Sequence, residues 1–302
     1  MLRPFFESIG FLFSLSSPRT LSRAGKVLGR LMWMLLPGRR RSARKTMEHH
    51  LGCGPAESKN LVRRNFQHTG RSFLEILHSR KVDFRFMQNR VRIAEPERLD
   101  SVINTQRPIV AITGHLGAWE LLSGFITLYF PQRPCQIVVR HPKNDALKEM
   151  MLHFRAKNNV EIVSSKQAAP RVRSCLSKQG LSGFLVDHNT KRSQSVFLPF
   201  LREYAAVNMG PALLALRSKA VVWPIFMVRE DGGYVIRNRE PLDTQALEGS
   251  LRDKVNQVAA FYTREVETMV RRYPEQWFWM HKRWKTRPGW EKKPDAKRPG
   301  AE

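Results

Sequence analysis

The stretch GHLGAWEL, residues 114–121, places a histidine five positions before a glutamate, with glycines at 114 and 117. An imidazole held by a carboxylate is a positioned general base, because the carboxylate fixes the tautomer and stabilises the imidazolium. The sequence contains no serine motif of the GxSxG type. The predicted target of the base is therefore a hydroxyl of the substrate, and His115 and Glu120 are candidate catalytic residues.

The two side chains can meet only in a particular local structure, because positions five apart on a helix are about 140° out of phase. His115 must lie in a strand-to-helix turn, which Gly114 and Gly117 permit, and Glu120 in the first helical turns. The adjacent backbone N–H groups at the helix start are candidates to stabilise an oxyanion. The alternative is two ordinary residues at the end of a strand, since HxxxxE also occurs by chance. A metal site is disfavoured because the spacing is not that of HExxH.

The elements that must position these residues follow from an alternation of short apolar runs and longer amphipathic segments. This alternation predicts an α/β fold: a mostly parallel or mixed sheet flanked by helices on both faces. The predicted strands are 108–113, 136–139, 160–163, 183–186 and 220–228. The predicted helices are 56–80, 117–129, 145–158, 171–178, 210–218 and 251–272.

Function in such sheets gathers just past the carboxyl ends of the strands. His115 follows the first predicted strand, Arg140 the second and Asp187 the fourth. We therefore expect these three residues at one edge of the sheet. A solvated surface arginine is the alternative for Arg140.

The chain is strongly basic, with 52 Lys and Arg against 26 Asp and Glu among 302 residues, a formal net charge of +26. Such a balance implies an anionic partner: nucleic acid, an anionic membrane, a phosphorylated substrate or an acidic protein. The basic residues are scattered and no nucleic-acid motif is evident, so nucleic acid is disfavoured. The three widely spaced cysteines predict neither a disulfide framework nor a zinc site.

The N-terminal segment combines apolar stretches with basic residues. The apolar stretch 5–15 is interrupted by Glu7 and is shorter than the roughly 20 residues of a spanning helix. A second apolar run, 31–36, ends at Pro37 and meets a basic cluster within 39–45. We expect helices that lie on an anionic leaflet, with packing on the protein's own core or a true span as alternatives. The predicted organisation is a membrane-associating segment 1–45, a catalytic domain 46–290 and a basic disordered tail 291–302.

Five separated stretches resemble the bacterial late acyltransferases of lipid A biosynthesis (the lauroyl and myristoyl transferases), within the glycerolipid acyltransferase group that carries HxxxxD/E. The resemblance runs from about residue 20 to 290. Its stretches are ITGHLGAWELL, VVRHPKN from 138, GFLVDHNT from 183, VFLPFLREYAAVNMGPALLALRSKAVVWPIF from 196 and PEQWFWMHKRWKTRP from 274. The resemblance implies transfer of a fatty acyl group from acyl carrier protein to a hydroxyl of a Kdo-bearing lipid A precursor. His115 would be the base and Glu120 its orienting residue, with no metal or other cofactor.

The resemblance also implies roles for other residues. Arg140 would hold a phosphate of the acceptor or of the phosphopantetheine arm. Asp187 would hold a basic residue or a hydroxyl, with a buried salt bridge as an equal alternative. Further residues are expected to line the same cleft or to belong to the signature segment near the C-terminus, where a structural role is equally open. The cleft residues are Gly114, Gly117, Asn189, Asn208 and Gly210, and the signature residues are His281 and Arg283.

Two departures from the family pattern are visible. The family has an arginine ahead of the helix that precedes the fourth strand, and here the nearest candidates are Lys166, Arg171 and Arg173. At 187–190 the sequence DHNT replaces the DQ or DHD that is commoner in the family.

The predicted partners are acyl carrier protein, an anionic glycolipid acceptor and the inner leaflet, at the cytoplasmic face of the cell inner membrane. The alternatives are the same chemistry on a lysophospholipid or another envelope glycolipid, and thioester hydrolysis.

Overall fold

The computed structural model describes residues 17–140, 144–155 and 160–291. Ten α-helices are described, numbered in chain order: α1 Pro18–Leu35, α2 Pro37–Leu51, α3 Pro55–Glu75, α4 Phe84–Arg90, α5 Pro96–Asn104, α6 Leu122–Tyr129, α7 Asp145–Arg155, α8 Ala168–Ser177, α9 Gly210–Arg217 and α10 Leu251–Arg272. The strands are β1 Val91–Ala94, β2 Ile109–Thr113, β3 Cys135–Val139, β4 Val160–Ser164, β5 Leu181–Leu185, β6 Ser195–Phe200, β7 Glu203–Asn208, β8 Val221–Glu230, β9 Gly233–Asn238 and β10 Leu242–Asp243.

Eight of these strands form one mixed, mostly parallel sheet in the order β1-β9-β8-β2-β5-β3-β4, with β10 paired to β8. The pairs β8–β2, β2–β5, β5–β3 and β3–β4 are parallel, and β9 runs antiparallel to β8. The α/β fold predicted from the sequence is therefore confirmed. The carboxyl ends of β2, β5 and β3 lie side by side, as a site at this edge requires.

The sheet is buried on both faces, which explains the continuous apolar runs of its central strands. Successive side chains of a strand point to opposite faces. Val110 and Ile112 of β2 accordingly enter one core cluster, together with Phe226 and Trp277. Ile109 and Ala111 enter the other. Helix α10 packs on the first face, and α6 packs on the second.

The sequence prediction omitted one side of the sheet and a separate hairpin. Strands β8 and β9 are joined by a tight turn in which Asp231 and Gly232 both have positive φ, 47° and 78°. Asp-Gly is a favoured pair for such a turn, so the local signal was present. Strand β1 is only four residues long and pairs with β9 across a large sequence separation, which no local pattern reveals. Strands β6 and β7 form the second, two-stranded antiparallel sheet.

The N-terminal helices pack on the rest of the protein through glycines. A Cβ at Gly29 of α1 would lie 2.2 Å from the Phe66 carbonyl oxygen, and one at Gly70 of α3 would lie 2.3 Å from the Gly25 carbonyl oxygen. Helix α1 therefore lies in backbone contact with α3, while apolar side chains on its outer side, including Leu31, Met34 and Leu35, are exposed.

Within residues 17–291, apart from the gaps, no helix is both long and apolar enough to cross a bilayer. The apolar stretch 5–15 and most of the predicted tail 291–302 lie outside the described residues. The membrane-associating role of the segment 1–45 stays a prediction.

Candidate active site

The loop after β2 is shaped by Gly117, whose φ is +65°. A Cβ at this position would lie 2.2 Å from the carbonyl oxygen of Met227 in β8. Ala118 N donates to that same oxygen at 2.7 Å, and Gly117 N donates to the Gln276 carbonyl oxygen at 3.1 Å. Glycine is required here both for the backbone conformation and for the close approach to β8.

This loop holds His115 against Asp187, which follows the neighbouring strand β5. The imidazole Nδ1 lies 2.8 Å from Asp187 Oδ1, and the backbone N of His115 donates to Oδ2 at 2.7 Å. The carboxylate is fully buried, whereas 32% of the His115 side chain is exposed. With the Nδ1 proton donated to Asp187, the other ring nitrogen, Nε2, carries the basic lone pair.

Asp187 has two further contacts, both from the segment that follows α10. Trp277 Nε1 donates to Oδ2 at 2.8 Å, and His281 Nε2 lies 3.1 Å from the Asp187 backbone oxygen. Burial on its own raises the pKa of this carboxyl, but the charges and hydrogen bonds of His115, His281 and Trp277 lower it well below its ordinary range. Asp187 is therefore ionised across physiological pH.

Glu120 lies in a 3-10 turn, Trp119–Leu121, as the predicted strand-to-helix geometry requires. Its Oε1 accepts a hydrogen bond from Trp119 Nε1 at 3.0 Å, and the Trp119 ring lies 5.5 Å from the His115 ring. Nδ1 of His115 donates its hydrogen bond to Asp187, which takes the place that the sequence analysis gave to Glu120. The orienting role of Glu120 stays a prediction.

The backbone N–H groups of the loop after β2 all donate hydrogen bonds within the protein at residues 115–118. The backbone N–H groups of residues 115–118 are already donated, to Asp187 Oδ2 and to the carbonyl oxygens of Gly114, Gln276 and Met227. These four groups hold the loop in place. The oxyanion role of the N–H groups at the helix start stays a prediction.

The remaining residues predicted to line the cleft have different surroundings. Gly114 lies against the His115–Asp187 pair, because a Cβ there would lie 3.1 Å from Asp187 Oδ2. Arg140 is exposed and follows β3, the next strand beyond β5. Asn189 bonds twice to Thr286, and Asn208 Oδ1 accepts from Gly210 N at 2.8 Å at the start of α9. The contacts of the two asparagines hold the backbone, and their place in a substrate cleft stays a prediction.

The two signature residues His281 and Arg283 have structural contacts. Burial lowers the pKa of His281 to about 4, while the charge of Asp187 acts in the opposite direction. Arg283 is buried and donates to the carbonyl oxygens of Ala206 and His188. Burial lowers its pKa to about 10, which still leaves it charged, and it ties the β6–β7 hairpin to the chain beyond Asp187.

Sequence reasoning missed a buried ion pair that supports the loop. Arg229, at the end of β8, forms a salt bridge with Glu75 of α3 and donates to Ser72 Oγ at 2.7 Å. Ser72 in turn donates to the Gly117 carbonyl oxygen at 2.9 Å. The only local signal was that a charged residue, Arg229, directly follows the apolar run 220–228. Its partner Glu75 lies 154 positions away, and no local sequence pattern can predict such a contact.

Among the described residues, one group of metal-ligating side chains gathers: His49, His50 and Glu203, whose ligand atoms lie within 4.8 Å of one another. Glu203 already forms an ion pair with Arg287, and the group lies on α2 and β7 rather than in the loop after β2.

Comparisons with known proteins identify the family of the chain. A family model described as bacterial lipid A biosynthesis acyltransferase matches residues 6–286. The chain is 26% identical to the lipid A biosynthesis palmitoleoyltransferase of Escherichia coli K12 over 272 residues, which cover 87% of this chain and 84% of that protein. It is also 26% identical to the lauroyltransferase of the same strain, over 88% and 85% of the two chains, and to a lipid A biosynthesis acyltransferase of Shigella flexneri. With a match across nearly its whole length, the chain belongs to the bacterial lipid A biosynthesis acyltransferase family and is an acyltransferase of that pathway.

Proposed function

We propose that this acyltransferase moves a fatty acyl group from acyl carrier protein to a hydroxyl of a Kdo-bearing lipid A precursor, with His115 as the general base. The observation that carries the proposal is the contact between Nδ1 of the partly exposed His115 and the buried, ionised Asp187. A carboxylate that holds Nδ1 of an imidazole fixes the tautomer, so that Nε2 carries the basic lone pair in a defined direction.

In the proposed reaction, Nε2 of His115 accepts the proton of the acceptor hydroxyl as its oxygen attacks the thioester carbonyl carbon. The carbon–oxygen bond forms and the carbonyl oxygen becomes an oxyanion. When the oxyanion collapses, the carbon–sulfur bond breaks and the thiolate of the phosphopantetheine arm takes the proton from the imidazolium. Asp187 stabilises that imidazolium without itself gaining a proton.

The substrates supply an explanation for the charge of the chain. Acyl carrier protein is acidic, the acceptor carries phosphates and acidic sugars, and the formal net charge here is +26. Arg140, exposed beyond β3, is proposed to contact one of the phosphate groups. Glu120, on the loop of His115, remains the proposed second carboxylate of the site.

We also propose that the protein works on the cytoplasmic face of the inner membrane and that the exposed side of α1 lies on the leaflet. This side of α1 carries four apolar side chains that are each about half exposed or more: Val27, Leu31, Met34 and Leu35. Basic residues of α1 and α2 flank them. Phe73 of α3 is 44% exposed, and its ring lies 6.1 Å from that of Phe278, which is 6.4 Å from the His115 ring. Two aromatic rings thus lead from the exposed Phe73 to the reacting imidazole.

The test is acyl transfer by detergent-purified protein, with acyl carrier proteins of several chain lengths and the Kdo-bearing precursor. We expect a product heavier by one acyl group from the wild type. In His115→Ala, loss of the base should lower turnover by at least about a hundredfold. His49→Ala, an exposed histidine on α2, is the control and should retain activity.

Substantial turnover by folded His115→Ala would sink the assignment of the base. Hydrolysis of the donor that needs His115, with no product, would instead mean that the acceptor is wrong. A panel containing lysophospholipids and other envelope glycolipids would then identify the acceptor.

A further inference from the structure

The segment that follows α10 contacts both members of the His115–Asp187 pair. Leu116 and Trp277 form an isolated antiparallel bridge, and Phe278 N donates to the His115 carbonyl oxygen at 2.9 Å. The same segment reaches Asp187 through the indole of Trp277 and the ring of His281. One stretch of chain therefore fixes the backbone of the histidine and the carboxylate that it contacts.

The contact of Trp277 with Asp187 determines how the carboxylate is turned. Oδ2 accepts from Trp277 Nε1 at 2.8 Å and from His115 N at 2.7 Å, while Oδ1 lies 2.8 Å from His115 Nδ1. Two donors on one oxygen restrict rotation of the carboxylate plane, so the other oxygen remains aimed at the imidazole.

Trp277 is itself held in place. Its side chain is 1% exposed, and its ring makes edge contacts with the rings of Trp279 at 4.6 Å and His281 at 4.8 Å. Asn65 of α3 donates to its backbone carbonyl oxygen. The indole N–H therefore has little freedom to leave Asp187, and the side chain is too buried to serve as a substrate contact.

We propose that Trp277 is a positioning residue of the reaction, which acts on His115 through Asp187. The inference rests on the proposed role of His115 as the base. Without the indole N–H, a buried carboxylate oxygen loses one of its donors, and the carboxylate gains freedom to turn. The imidazole would then spend less time with its proton on Nδ1 and its lone pair directed at the acceptor.

The experiment compares Trp277→Phe with Trp279→Phe. Trp279 is an equally buried tryptophan two positions away, but its Nε1 donates to the Pro274 carbonyl oxygen instead of a carboxylate. We expect kcat to fall by about tenfold or more in Trp277→Phe with KM for both substrates unchanged, and by less than about twofold in Trp279→Phe. Equal losses in the two variants, or an unchanged kcat in folded Trp277→Phe, would overturn the proposal.

A double-mutant cycle with Asp187→Asn tests whether Trp277 acts through Asp187. If it does, adding Trp277→Phe to Asp187→Asn lowers kcat little further, whereas independent roles would give losses that multiply. Multiplying losses would contradict the proposal.

A spectroscopic measurement separates this inference from the proposed function. The proton between His115 Nδ1 and Asp187 should give a low-field proton resonance, identified by its loss in Asp187→Asn. We expect the resonance to shift or broaden in Trp277→Phe and to stay in place in Trp279→Phe. An unchanged resonance in Trp277→Phe would overturn the inference. Absence of acyl transfer by the wild type would overturn the proposed function and leave this readout intact.

Should Trp277→Phe fail to fold, the residue can be replaced site-specifically by β-(3-benzothienyl)alanine, in which sulfur takes the place of the indole N–H. The ring volume is kept and only the donor is lost. The expected fall in kcat and shift of the resonance are the same, and wild-type values for both would contradict the proposal.

Discussion

At the scale of single residues, the site depends on which carboxylate holds His115. The sequence placed His115 and Asp187 at the ends of two strands, and the structure brings them into hydrogen-bond contact. Spacing could not assign Asp187 its part, because 72 positions separate the two residues and the contact depends on β2 pairing with β5. Glu120 was singled out because it is near in sequence. Near residues are the only ones whose relative position a pattern can constrain.

Asp187→Asn should keep the fold of the loop but lower kcat by about a hundredfold or more, because an amide cannot stabilise the imidazolium. Glu120→Gln is the matched change on the neighbouring carboxylate. Steady-state kinetics of the two variants would show which one supports His115. A larger loss in Glu120→Gln than in Asp187→Asn would restore the orienting role to Glu120.

The low pKa of Asp187 implies that its ionisation does not limit activity near neutral pH.

At the scale of elements, the loop after β2 depends on contacts made by chain far away. Gly117 approaches β8, Ser72 of α3 supports its carbonyl oxygen, and Gln276 accepts its N–H. The sequence predicted the turn from its glycines, and the structure confirms the turn. It could not predict the supports, because Ser72, Arg229 and Gln276 carry no local signal for the contacts that they make.

Gly117→Ala should destabilise the protein by about 2–4 kcal/mol, since the new methyl meets the Met227 carbonyl oxygen in addition to the strain of a positive φ. Gly232→Ala isolates the strain, because φ there is +78° and nothing lies within 4 Å of the added Cβ. That control should cost about 1 kcal/mol. Denaturant unfolding of both variants measures the difference, and equal costs would mean that the loop yields to the methyl without penalty.

At the scale of the whole molecule, the net charge and the exposed side of α1 both support the proposed contact with a membrane. Composition alone left nucleic acid, an anionic membrane, a phosphorylated substrate and an acidic protein open. The architecture adds the position of the apolar residues, which α1 presents on the side turned away from α3. Their exposure depends on which face of α1 packs against α3 through the glycines, and composition carries no information about that packing.

The double variant Met34→Glu and Leu35→Glu should weaken binding to vesicles of anionic lipid by at least about tenfold, because two exposed apolar side chains proposed to contact the lipid are replaced by charges that the lipid repels. Leu251→Glu, at an exposed position on α10, is the control. Vesicle flotation at low and high salt measures both. Equal binding by the double variant and the wild type would remove α1 from the membrane contact.

The glycine contacts between α1 and α3 have a consequence for how such an enzyme would meet a bilayer. Backbones that touch at Gly25, Gly29 and Gly70 leave no room for α1 to roll about its own axis. The outer face of α1 is therefore fixed relative to α3, which carries Ser72 and, through it, the loop of His115. If a leaflet binds to that face, the imidazole lies at a fixed distance from the bilayer surface. The fold, instead of diffusion, would then set the depth at which a lipid hydroxyl is reached.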